Sequence, residues 1–94
     1  MTGMVRLRDS VRVRLGAERG FLFDERTGRV YSLNASAAVA AAGLRDHRAV
    51  DDVIATVVEA FEVDAATAGL DLARFVGHLI QEGLATVEAE PNHG

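Results

Sequence analysis

The sequence predicts an α+β domain in which a three-stranded antiparallel sheet is followed by three helices. Three observations carry that expectation. Apolar residues alternate with arginines through residues 4–15, the period of a strand with one wet face. Residues 20–34, GFLFDERTGRVYSLN, place two apolar segments on either side of a polar turn and end on an asparagine, which is a hairpin running into a helix cap. Beyond Asn34 the apolar spacing changes from two to three and four, the helical period. With 94 residues the chain is expected to form a single domain with one modest core.

The elements follow in order. Val5, Leu7, Val11, Val13 and Leu15 are apolar and Arg6, Arg8, Arg12 and Arg14 fall between them, with Asp9-Ser10 as a break. Gly16 to Gly20 turns the chain into the Phe21-Leu22-Phe23 strand. Asp24 to Gly28 forms the next turn, its glycine suited to positive φ, and Arg29-Val30-Tyr31-Ser32-Leu33 completes the meander. Asn34 offers its side-chain oxygen to the free N–H groups of an alanine-rich helix, Ala35 to Leu44. Gly43 and the polar run Arg45-Asp46-His47-Arg48 separate it from a second helix, Ala49 to Phe61. There Val50, Val53, Ile54, Val57, Val58 and Phe61 share one face, and Asp51 and Asp52 occupy the first turn, where the helix dipole favours acids. Glu62 to Ala66 links to a third helix, Thr67 to Glu82, with Asp64 as cap; Gly83 ends it before a short strand, Leu84 to Val87.

On a wheel at about 100° per residue, the third helix gathers Gln81, Arg74, His78, Asp71 and Glu82 into one polar arc. The apolar arc spans roughly twice the stripe that packing on one side of a small domain requires. Either the sheet and both other helices cover it, or part of it faces a groove or partner.

Composition narrows the function. There is no cysteine, which excludes disulfides, thiolate metal sites and cysteine nucleophiles. No long apolar run or secretory signal is present, so the expected location is the cytoplasm and no membrane contact is expected. His47, His78 and His93 are scattered without metal-ligand spacing. The glycines form no phosphate-cradling pattern, and Asp51-Asp52 is explained by the helix dipole. No catalytic residue, metal or cofactor is therefore expected, and an enzyme ranks last. Residues 1–33 carry seven arginines and four acids, residues 34–94 three arginines and ten acids. This split fits two charged faces that orient a partner and, equally, two solvated faces. Nucleic acid is not expected as a partner, because the acidic helices offer no basic recognition element.

The run Leu22-Phe23-Asp24-x-x-Thr27-Gly28-Arg29-Val30-Tyr31-x-Leu33-Asn34, the Ala37-Ala38 helix, the Val50 to Phe61 stripe and the ending Leu72-x-x-Phe75-Val76-x-x-Leu79-x-x-x-Gly83-Leu84 together resemble the PqqD-like family. These are peptide chaperones, also called RiPP recognition elements: small winged-helix-like domains that hold the leader segment of a ribosomal precursor peptide for its modifying enzyme. The resemblance covers about residues 11–88. The sequence departs from the family at Asp46-His47-Arg48, where an aspartate–glycine turn before a threonine-led helix is common. It departs again at residues 37–42, Ala-Ala-Val-Ala-Ala-Ala, where bulkier residues are usual and the pocket is expected to be loosened or reduced.

The resemblance implies that the leader adds as an extra strand beside Arg29, Val30, Tyr31, Ser32 and Leu33 and lies on Leu72, Phe75, Val76 and Leu79. Tyr31 is then a wall of the groove and Arg74 a rim charge. It further implies a separately encoded peptidase, cyclase or radical SAM enzyme as the recipient, with lasso peptide biosynthesis one of the pathways that fit. Two other readings remain at this point. One is a winged-helix-type DNA-binding regulator; the other is a small interaction module that forms a homodimer through its exposed sheet edge.

Overall fold

The structure, a computed structural model, describes residues 4–88. The elements run β1 (Met4–Leu7), β2 (Val11–Leu15), β3 (Arg19–Asp24), β4 (Val30–Asn34), α1 (Ala35–Arg45), α2 (Val50–Phe61), α3 (Ala65–Gln81) and β5 (Ala85–Glu88). The α+β class and the antiparallel β2-β3-β4 meander followed by three helices are as expected, and the arrangement is compatible with a winged-helix-like description. The alternating 4–15 segment, however, is divided between two sheets. Asp9-Ser10 forms a turn, and β1 leaves the meander to pair with β5, Met4 opposite Glu88 and Leu7 opposite Ala85. Arg8 N–H donates to the Leu84 carbonyl at 2.9 Å, extending that ladder. His93 lies outside the described residues.

One face of the meander packs on α1, and α1 packs in turn on α2. Val11, Leu22 and Leu33 from the sheet join Ala38, Ala41 and Leu44 of α1, Val53 and Val57 of α2, and Leu72, Val76 and Leu79 of α3 in one core. Each large aliphatic side chain buried there contributes on the order of 1.5–3 kcal/mol. The alanines allow a close approach of sheet and helix: a Cβ at Gly20 would lie 2.7 Å from the Ala38 Cβ and 2.9 Å from the Arg14 carbonyl oxygen.

The β3–β4 turn is held by Asp24, the one buried charged side chain among the described residues. Its carboxylate accepts from Ser10 Oγ at 3.0 Å, Arg26 N–H at 3.0 Å and Thr27 Oγ1 at 3.2 Å. Burial pushes this carboxyl upward, but the Arg26 amide, the two hydroxyls and the Arg26 guanidinium outweigh it and hold it below the ordinary aspartate value. Gly28 takes φ +77° at the end of the turn, as expected of its position.

The helix ends match their residues. Asn34 Oδ1 accepts from Ala37 N–H at 2.9 Å, and Asp64 Oδ1 from Thr67 N–H at 2.6 Å. Gly83 leaves α3 at φ +75°. After α1 the left-handed position falls on His47 (φ 60°), within the segment where the sequence departs from the aspartate–glycine turn. Helix α2 starts at Val50 with no side-chain cap, and Asp51 and Asp52 lie in its first turn.

Candidate functional site

In the order β2-β3-β4, β4 is a sheet edge. Its pairing with β3 settles which backbone groups are free. Asp24 N–H donates to the Arg29 carbonyl at 2.9 Å, and the register then runs Phe23 opposite Val30, Leu22 opposite Tyr31, Phe21 opposite Ser32 and Gly20 opposite Leu33. Bonded and non-bonded pairs alternate in an antiparallel ladder. Tyr31 and Leu33 therefore direct their backbone groups to β3, and Val30 and Ser32 direct theirs outward. Side chains follow the opposite division: Tyr31 is half-buried and Leu33 buried against the core, whereas Val30 and Ser32 are exposed.

Helix α3 packs on α2, and more lightly on β5 and α1, but not closely on β4. The gap between β4 and α3 is a groove of about 480 Å³. Val30, Tyr31, Ser32, Leu33 and Asn34 form its strand side, Phe75, His78 and Leu79 its helix side, and Leu22, Ala37 and Leu84 also line it. At the start of β4, Arg29 reaches Glu82 of the α3 C-cap at 3.8 Å. At the other end, Asn34, Ala37 and Phe75 continue into a second cavity of about 380 Å³ among α1, α2 and α3. Ala37, Ala40 and Ala68 leave its walls short, Leu72 and Phe61 supply apolar surface, and Asp71 and Arg74 also line it. The small side chains of α1 thus open this space.

The residues expected to form the site are not all placed alike. Val30, Tyr31, Ser32, Leu33, Phe75 and Leu79 line the groove, and Leu72 and Arg74 line the adjoining cavity. Val76 is buried in the core and lines neither. The backbone of Arg29 is already engaged, its carbonyl by Asp24 N–H and its N–H by Thr27 Oγ1 at 3.3 Å. His78, placed by the wheel with the polar surface, lines the groove. The wide apolar arc of α3 is partly uncovered, at Leu70 and Ile80. These two line neither cavity, so their exposure belongs to another side of the helix.

Among the described residues no group of three histidines, cysteines or acids could hold a metal ion, and no helix is long and apolar enough to cross a membrane. What the groove offers is outward-facing β4 amide and carbonyl groups beside an apolar helix wall, the two requirements for docking an extended peptide.

Comparison with curated proteins finds no match. Two solved structures share the fold. One, TbiB1 in complex with the TbiA(beta) leader peptide, is 20% identical with a TM-score of 0.75 and covers 93% of this chain and 99% of that one. The other, lasso peptide synthetase B1 complexed with the leader peptide, is 30% identical with a TM-score of 0.73 and covers 87% of this chain and 96% of that one. The family described as coenzyme PQQ synthesis protein D matches residues 19–85, a span from the start of β3 to β5 that takes in the whole groove. The chain belongs to the PqqD family.

Proposed function

We propose that this chain is a non-catalytic chaperone that binds the leader segment of a ribosomally made precursor peptide by strand addition to β4. The observation that carries the reading is the free edge of β4 beside the Phe75–His78–Leu79 wall of α3, in a chain 30% identical to a lasso peptide synthetase B1 complexed with its leader peptide. Main-chain bonds to Val30 and Ser32 supply affinity that tolerates sequence variation, and side chains entering the groove supply selectivity. Leu72, Phe75 and Leu79 provide apolar contact and Tyr31 a wall; Arg74 provides charge beside the adjoining cavity. The bound leader is then presented to a separately encoded modifying enzyme in cytoplasmic natural-product biosynthesis, with lasso peptide assembly the pathway that the structural likeness favours.

The test is calorimetric titration, into wild-type protein and Ser32→Pro, of the synthetic leader of a short precursor peptide found by searching the neighbouring genes. Proline at residue 32 removes an outward N–H without touching the ladder to β3. Saturable binding by the wild type, lost in a variant with an unchanged circular dichroism spectrum, supports strand addition. Equal binding by both proteins refutes it. Pairing of β4 with β4 of a second copy is the rival use of the same edge and would appear as concentration-dependent mass without peptide.

A further inference from the structure

The outer face of the meander points away from α1 and meets the groove only at Val30 and Ser32; its Phe21, Phe23, Arg12, Arg14 and Arg19 do not line the groove. Phe21 and Phe23 are 40% and 37% exposed and Val30 is 61% exposed. The register sets them in two rows: Arg12, Phe23 and Val30 lie directly opposite one another, and so do Arg14, Phe21 and Ser32. Directly opposed side chains share a face and lie within reach of one another, so Phe23 and Val30, with Phe21 two residues along β3, line up as one apolar strip. Its flank is basic. Arg12 is paired with Glu25 at 2.9 Å, whereas no ion pair is formed by Arg14 or Arg19 among the described residues, and both are exposed.

We infer that this face docks the modifying enzyme through an acidic-rimmed apolar patch on that enzyme. The inference rests on the leader-binding reading above and adds to it the surface and chemistry of the second partner. Unpaired arginines beside exposed rings favour a protein surface with an apolar centre and carboxylates at its rim. A nucleic acid strand fits less well, because the chain carries a net charge of −4 and Glu25 already neutralises Arg12. Position supports the same occupant. Val30 and Ser32 belong both to this face and to the edge that receives the leader, and leader residues paired opposite them turn their side chains onto the same face. An enzyme seated there touches chaperone and leader together. Leader and enzyme must then strengthen each other's binding by the same factor.

The experiment uses the candidate modifying enzyme found by searching the neighbouring genes and the synthetic leader, with wild-type protein, Phe21→Ser and Arg14→Glu. All three proteins should bind the leader equally. Wild-type protein should bind the enzyme more tightly when the leader is present, and each variant should lose about tenfold or more of that affinity. Unchanged enzyme affinity in both folded variants overturns the inference, as does enzyme binding that ignores the leader. Loss of leader binding in the variants also overturns it, by placing these residues in the peptide site. If Phe21→Ser instead abolishes self-association of the wild type, a second copy covers the face and the inference fails. Wild-type protein that binds leader but not enzyme sinks this inference alone; folded protein that binds no leader sinks the reading beneath it as well.

Discussion

The β2-β3-β4 meander has two edges, and they differ in what lies beside them. By the alternation that frees Val30 and Ser32 on β4, Val11 and Val13 on β2 turn their backbone groups away from β3. The β2 edge is obstructed: Val11 N–H is used by the Arg8 carbonyl at 2.9 Å, and Arg12 Nη1 bonds to the Asp9 carbonyl at 2.6 Å. The β4 edge opens onto a groove walled by Phe75, His78 and Leu79. Unpaired ladder groups alone do not make a peptide site. A neighbouring helix that walls a groove makes one edge a candidate peptide site, while charge and local bonds blunt the other.

Perturbations of this contrast range widely in size. Leu79 is 1% exposed and lines the groove, so Leu79→Ala should cost about 2–5 kcal/mol in denaturant unfolding and loosen the wall. Phe75 is only half-buried; Phe75→Ala should cost less than the ~3–5 kcal/mol of a fully buried ring, yet abolish leader binding. Proline substitutions separate the edges and the two sides of β4. Tyr31→Pro breaks the ladder to β3 and should destabilise by about 1–3 kcal/mol through the lost and unsatisfied groups. Val13→Pro should leave leader affinity unchanged, whereas Ser32→Pro should lose it.

Acid should act on the turn that sets β4 in place. Asp24 titrates below its ordinary value in the folded protein, so its stabilising effect is complete above the unfolded pKa, near 3.8. That effect is lost as the pH falls through the lower folded value. Asp24→Asn should therefore flatten the pH dependence of unfolding below about pH 4. The smallest effect is expected at His47. His47→Gly should raise stability by about 0–1.5 kcal/mol, the left-handed strain of ~1–2 kcal/mol less the extra glycine entropy of ~0.5–1. Leader affinity should not change, because residue 47 lines neither cavity.

Local chemistry made much of this fold legible. The Asp24–Gly28 turn, the Asn34 and Asp64 caps, the Val50–Phe61 stripe and the Gly83 stop each act within a few residues, and each stands within two residues of its expected place. The departure of β1 to pair with β5 did not show, because it depends on a ladder between segments some eighty positions apart, which period-two spacing does not encode. The site was legible as a strand and a helix but not as a surface. Alternation placed Tyr31 with Leu33 and Val30 with Ser32 without saying which pair faces the core. The helical wheel likewise separated His78 from Phe75 by polarity, although both reach one groove. Val76 shows the reverse limit: an apolar position on a helix that lines a groove is core unless the neighbouring elements leave it uncovered.

The most direct test of strand addition at β4 is amide chemical-shift mapping during titration of the synthetic leader into ¹⁵N-labelled protein. The account predicts saturable shifts, with new protection from solvent exchange, at Val30 and Ser32, accompanied by shifts at Ala37, Phe75 and His78 and none at Val11 or Val13. Shifts centred on β2, or protection at neither edge while the leader is bound, would contradict it.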